Sequence, residues 1–198
     1  MGQLRIGLTG GLAAGKSTVG RWLEEAGFPV MDADEVVAEL YTSGAAGAVL
    51  VQNLFGDSFI LEDGSVDRSR LAALVFSDSA ARLRLEAAIH PLVRDRFATY
   101  AANQSAAVLE ATLLVESGLD AECDLVITVE ADPALRLQRA VDRGMDEEEA
   151  KRRLEAQSSG ADRRAAAHWI LWNNGSPEEL RRQVDELLTQ LNNGDEQQ

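Results

Sequence analysis

The sequence is short of cysteine, lysine, histidine and long apolar runs, and each shortage excludes something. A single cysteine, Cys123, rules out an internal disulfide and gives no support for a thiolate metal centre. Its expected role is a buried or half-buried small hydrophobe in a reducing compartment. The two histidines, His90 and His168, have no metal-ligand partner spacing. No apolar run approaches the roughly 18 residues needed to cross a bilayer. Residues 1–8 carry one Arg and run straight into a strand-like segment, which is not the pattern of a signal peptide. The expected location is therefore cytoplasmic. Positive charge is scarce too: 19 Lys and Arg against 33 Asp and Glu leave a net charge of −14. That balance disfavours nonspecific binding to nucleic acid or to an anionic membrane. An anionic substrate would need cations gathered locally in a cleft. Only Lys16 and Lys151 are lysines; every other basic residue is arginine.

What is present fits one compact domain, or one carrying a sizeable insertion: 198 residues, 45% hydrophobic and 26% charged. Short aliphatic strands are predicted at 4–8, 30–31, 106–111, 125–129 and 169–172. Helices are predicted at 17–26, 34–41, 68–76, 79–89, 91–103, 133–143, 146–156 and 177–191. The 192–198 tail reads as frayed, and Asp132-Pro133 as a cap followed by a proline at the first helical position. Strands alternating with helices imply a parallel sheet covered on both faces. The strand-poor stretch between about residues 48 and 102 reads as a helical insertion.

One segment carries explicit chemistry. Gly10-Gly11-Leu12-Ala13-Ala14-Gly15-Lys16-Ser17 fits G-x-x-x-x-G-K-[ST], with a strand before it and a helix after it. Glycines allow a tight turn that aims successive N–H groups at phosphate oxygens, and the helix adds its positive N-terminus. Lys16 is placed to reach the β and γ phosphates, and the Ser17 hydroxyl to ligate Mg²⁺. In a chain with two lysines, a chance match is rare. Asp32-Ala33-Asp34 follows the second strand, where an α/β sheet presents ligands. Such carboxylates can serve a metal and a general base, or cap a helix. Arg136, Arg139 and Arg143 share a helix face and can clamp developing phosphate charge, or form a solvated surface. Trp22, Trp169 and Trp172 read as core or sheet packing.

At these residues the sequence resembles the dephospho-CoA kinase family. The likeness is carried by Ile6-Gly7-Leu8-Thr9-Gly10-Gly11, Lys16-Ser17-Thr18-Val19 and Asp32-Ala33-Asp34. His90-Pro91, Leu113-Leu114-Val115-Glu116, Gln138-Arg139 with Arg143, Ala156-Gln157 and Asn173-Asn174-Gly175 continue it. The resemblance implies a P-loop NTPase α/β fold: a three-layer sandwich with a parallel five-stranded sheet, a helical substrate domain and a helical lid. A core of residues 1–40, 104–135 and 165–192 would carry the insertion at 41–103 and the lid at 136–164. It implies transfer of the ATP γ-phosphoryl group to the ribose 3′-hydroxyl of dephospho-CoA, the final step of coenzyme A synthesis, with Mg²⁺. Gly11, Ala13, Ala14, Gly15, Lys16, Ser17, Thr18 and Asn173 would bind ATP, and Ser17 and Asp32 the metal. Asp34 would be the base, with Lys16, Arg139 and Arg143 stabilising charge. Thr9, Asp34, His90, Leu114 and Glu116 would meet the acceptor. A monomer or weak homo-oligomer is expected.

The pattern is departed from at Ala13-Ala14, where a Gly-Ser-like pair is usual, at Thr112 in place of proline and at Glu110 in place of aspartate. His168 and Trp172 also replace acids. A nucleoside monophosphate or shikimate kinase shares the loop, and the long insertion favours the bulkier acceptor. A nucleotide-dependent switch is the rival of another class, but no Asp-x-x-Gly segment follows a strand.

Overall fold

The computed structural model describes residues 3–157 and 160–195, which divide into two compact units, residues 1–31 with 103–198 and residues 32–102. Five strands, β1 (Leu4–Gly10), β2 (Val30–Asp32), β3 (Ala106–Glu110), β4 (Leu125–Glu130) and β5 (Trp169–Trp172), form one sheet in the order β2-β3-β1-β4-β5. The β1–β3, β1–β4 and β4–β5 pairings are all parallel, as in the expected three-layer α/β arrangement. Such a sheet buries both faces, which is why β1, β3 and β4 read as continuous aliphatic runs rather than alternating ones.

Helices α1 (Lys16–Glu25) and α9 (Pro177–Asp195) cover the sheet. Val19 and Leu23 of α1 and Leu180, Val184 and Leu187 of α9 join Ile6, Leu8, Val108, Ile127, Val129 and Leu171 in one buried cluster. Each full burial of such a side chain contributes roughly 1.5–3 kcal/mol before entropy is counted. Trp22 and Trp169 pack against this cluster. Trp172, expected in the packing, is instead 47% exposed at the end of β5. Its backbone N–H donates to Gln183 Oε1 and its carbonyl accepts from Gln183 Nε2, both at 2.8 Å. Helix α9 runs on to Asp195, past the expected end at 191; residues 196–198 lie outside the described residues.

The same unit holds α6 (Pro133–Asp142), α7 (Glu147–Ala156) and α8 (Ala161–Ala166). Pro133 opens α6 as expected, but the Asp132 side chain does not cap it. Asp132 faces Asn174 instead, its N–H donating to Asn174 Oδ1 at 2.8 Å and its Oδ1 accepting from Asn174 Nδ2 at 3.3 Å. Helix α8 was not legible: at six residues it is too short to show a helical period.

Residues 32–102 form a helical unit of α2 (Ala33–Leu40), α3 (Ala46–Phe55), α4 (Arg68–Ser77) and α5 (Ser79–Ala101). Its core gathers Ala48, Val51, Val66 and Leu71 with Tyr41, Phe55 and Phe59 against them. Asp32, Asp67 and Asp78 cap α2, α4 and α5 through side-chain oxygens. The two helices expected on either side of Pro91 are one. A proline inside a helix removes a hydrogen bond and crowds the carbonyl four residues back, at a cost of about 3 kcal/mol. Here Ile89, Val93, Phe97 and Ala101 continue a single buried stripe at spacing four across the proline. Pro91 and Ala87, whose carbonyl loses its partner, both face solvent, so water can satisfy that oxygen.

Candidate active site

The phosphate loop is set between β1 and α1. Gly15 ends it at φ +109, and α1 begins without a side-chain cap, which leaves its leading N–H groups available for an anion. The loop folds back through Ala14 N–H donating to Gly11 O at 3.0 Å. Ala13 adopts φ +57, the only positive φ outside glycine among the described residues. A Cβ is disfavoured in that left-handed region, so the alanine stores a little backbone strain. Ala14 is fully buried in the sheet core and Ser17 is exposed, with Thr18 half-buried between.

The loop is gripped from the side by α6. Arg136, only 6% exposed, donates from Nε to Leu12 O at 3.0 Å and from Nη2 to Gln157 Oε1 at 2.9 Å. Gln157 Oε1 also accepts Leu12 N–H at 2.9 Å. Gly11 makes room for this guanidinium: a Cβ there would lie 2.5 Å from Arg136 Cζ. Burial, and then the charge of Arg163, pull the Arg136 pKa down, with Glu130 opposing. One turn on, Arg139 donates to Asn173 O at 2.9 Å and Oδ1 at 3.3 Å, while Asn173 Nδ2 donates to Ala14 O at 2.8 Å. Arg139 and Asn173 thus buttress the loop rather than point at open solvent. Arg143 follows α6 and is exposed. It lines a depression of about 420 Å³ with Leu12, Ala13, Ala140, Met145 and Glu149.

Lys16 has a partner in this conformation. Its Nζ lies 2.6 Å from Glu110 Oε1, with side chains 13% and 7% exposed. Glu110 ends β3, and it is the residue that meets the loop lysine. A second ionic centre lies deeper. Arg163 on α8, 1% exposed, reaches Glu130 at 3.1 Å and Glu116 at 3.7 Å. Glu130 Oε1 also accepts from Thr128 Oγ1 at 2.8 Å. No sequence argument singled out Arg163, Glu130 or Gln157 as a contact. The available signals were Ala156-Gln157 in the family resemblance and an arginine pair, Arg163-Arg164, ahead of the last strand.

Two of the residues expected at the acceptor lie inside the fold. Thr9 and Leu114 are both fully buried, Thr9 donating to Thr112 O at 3.3 Å. Exposed instead is Leu113, at 51%. His168 Nδ1 accepts Val126 N–H at 3.0 Å and its own N–H donates to Val126 O, so it extends the β4–β5 ladder. In the helical unit, Asp32 Oδ1 caps α2 by accepting from Asp34 N–H at 2.7 Å and Glu35 N–H at 3.4 Å. Asp34 is exposed in the first turn. His90 is half-buried on α5, and burial pushes its pKa down, with Glu86 opposing and Arg94 adding. Among the described residues, no three acidic, histidine or cysteine side chains cluster to hold a metal, and no helix is long and apolar enough to cross a membrane.

The model of the family described as dephospho-CoA kinase matches residues 4–179. The chain belongs to the dephospho-CoA kinase family. A dephospho-CoA kinase of Geobacter sulfurreducens is 40% identical over 188 residues, which cover 92% of this chain and 95% of that one. The crystal structure of TT1252 from Thermus thermophilus superposes with a TM-score of 0.83 at 33% identity, covering 96% of this chain and 99% of its own. A dephospho-CoA kinase from Campylobacter jejuni shares the fold at a TM-score of 0.69 and 22% identity, over 96% and 98% of the two chains. The dephospho-CoA kinase family is thus matched along nearly the full length, helical unit included.

Proposed function

We propose that this chain transfers the γ-phosphoryl group of ATP to the ribose 3′-hydroxyl of dephospho-CoA, releasing coenzyme A and ADP. The observation that carries this reading is the family match across residues 4–179, with the phosphate loop intact at its start. The leading N–H groups of α1, with those of Gly11 and Ala13 to Thr18, would hold the triphosphate. Lys16 would exchange Glu110 for the β and γ oxygens. Arg139 and Arg143 would meet charge on the phosphates once α6 and α7 close as a lid over 136–164, and Asn173 would hold the loop beneath them. Asp34 would accept the 3′-hydroxyl proton as that oxygen attacks phosphorus and the β–γ bridging bond breaks toward ADP. His90 and Glu116 would contact the acceptor.

The donor set fits Mg²⁺ better than a fully protein-caged ion. A hydroxyl and a carboxylate, Ser17 and Asp32, with no triad of acids among the described residues, would suit a cation that keeps water and phosphate ligands. When bound, Mg²⁺ neutralises phosphate charge as it develops. Catalysis by the chain itself would then be mostly positioning and electrostatics.

The test is ADP release by purified protein with ATP, Mg²⁺ and, separately, dephospho-CoA, AMP or shikimate, with the product's phosphate located by phosphorus NMR. Turnover is expected with dephospho-CoA alone. Faster turnover with either other acceptor overturns the assignment.

A further inference from the structure

We propose that Gln157 and Arg136 are positioning residues that shape the phosphate loop for ATP by holding both polar atoms of Leu12. The inference rests on the ATP-dependent kinase reading and goes beyond it, because neither side chain belongs to the loop and both act on its backbone rather than on phosphate.

Three hydrogen bonds close a triangle. Leu12 N–H donates to Gln157 Oε1 at 2.9 Å, Arg136 Nε–H to Leu12 O at 3.0 Å, and Arg136 Nη2–H to Gln157 Oε1 at 2.9 Å. The amide oxygen of Gln157 thus serves two donors, one backbone and one cationic. Removing it leaves both without that acceptor in a half-buried place, where an unsatisfied polar group is costly. The next residue, Ala13, is the one at φ +57. A non-glycine residue persists there only when its surroundings over-determine it. The Gly11–Ala14 turn fixes one side of Ala13, and the Leu12 triangle fixes the other.

The geometry also says what the triangle connects. Arg136 sits on α6, and Gln157 immediately follows α7. The α6–α7 pair is therefore tied to the loop at Leu12, two residues before the buried Ala14 and four before Lys16. A displacement of α7 pulls on the Leu12 N–H and changes the backbone that faces phosphate. The loop reports the position of α7, and by reciprocity ATP bound in the loop favours one placement of α7.

The test is ATP affinity measured by calorimetry on the full chain without any acceptor, so an error about the acceptor leaves the result readable. Gln157→Met keeps the length and removes the acceptor, Arg136→Met removes both donors, and the double variant removes the triangle. Each single is expected to weaken ATP binding about tenfold, the scale of one lost hydrogen bond to a charged group. The double is expected to be no weaker than the worse single, since residues acting as a unit are not additive. Gln157→Glu keeps oxygen acceptors for both donors and is expected to bind ATP within about threefold of the wild type. Gln157→Asn, one methylene shorter, is expected to behave like Gln157→Met and stands in for it if the methionine variant does not fold. Wild-type affinity in Gln157→Met or Gln157→Asn, or strictly additive losses, overturns the proposal. Loss in Gln157→Glu together with a lowered melting temperature also overturns it, because that marks a role in folding alone.

Discussion

Arg163→Met is expected to destabilise the protein by about 3 kcal/mol, and the structure sets that figure. Arg163 is 1% exposed and donates to both oxygens of Glu130, whose side chain is 4% exposed. Removing one partner of a buried ion pair costs about 3–5 kcal/mol because it strands the other charge. The lower end applies here, since Glu130 keeps the Thr128 hydroxyl at 2.8 Å and the half-exposed Arg164 at 3.9 Å. For a chain of this length, that corresponds to a fall in melting temperature of roughly 6–12 °C. Arg163→Met/Glu130→Leu removes the stranded charge and is expected to recover all but about 1 kcal/mol. Arg82→Met is the control: its pair with Glu86 spans 3.8 Å with side chains 59% and 36% exposed, so its loss stays within about 0.5 kcal/mol. Urea denaturation followed by circular dichroism reads all three. A loss under about 1 kcal/mol in the single variant, or a double variant worse than it, refutes the reasoning.

Asp34→Asn is expected to retain ATP affinity while slowing transfer by at least ~100-fold, the scale of a lost general base; unchanged single-turnover rates would remove Asp34 from the mechanism. Gly15→Ala forces an L side chain to φ +109 and drives its Cβ into Asn173 Nδ2. A stability loss of about 2 kcal/mol and at least tenfold weaker ATP binding should follow, and normal binding by calorimetry counts against the loop geometry. Burial, and then Asp120, Asp124 and Glu122, push the Cys123 thiol up to about 12. Its alkylation at pH 8 should be slower than a free thiol's by on the order of a thousandfold, and restored in urea. Because the folded pKa is raised, Cys123 contributes stability that is present below the ordinary thiol pKa near 9 and lost as pH climbs toward 12. Cys123→Ala should flatten the alkaline limb of the melting curve, and rapid labelling of the folded protein would contradict the burial.

The parts of the fold that depend on neighbours in sequence were legible. The loop was read from Gly10 to Ser17 because its turn, lysine and helix start are contiguous, and the strands because buried parallel strands are aliphatic throughout. Pro91 misled because proline's local penalty was weighed without the stripe from Ile89 to Ala101 that carries the helix across it. Resemblance places Leu114 at the acceptor and says nothing of its burial, which depends on packing that only three dimensions show. The clamp on Leu12 joins residues 124 and 145 positions away, and Glu130 meets Arg163 across 33. Such pairings leave no periodicity. Arg136 carries the sharpest lesson: its spacing with Arg139 and Arg143 fits a solvated face equally well, and burial alone decides between them.

Composition demanded a local concentration of positive charge in a chain of net charge −14, and the structure qualifies how that charge is kept. Of the four cations described around the loop, Arg143 is exposed at the depression beside Leu12 and Ala13, and the other three have partners. Lys16 is held by Glu110, Arg136 by Leu12 O and Gln157, and Arg139 by Asn173. Holding them costs little, since each partner is within hydrogen-bonding distance and half-buried, where a bare ammonium or guanidinium would be poorly solvated. Binding a triphosphate then becomes an exchange of partners. On the ATP-dependent reading proposed above, the Lys16–Glu110 pair would open as the phosphates arrive, while the contacts of Arg136 with Leu12 O and Gln157 would stay in place. On that reading a singly charged ligand would gain less from Lys16 than a triphosphate does to offset separating the lysine from Glu110.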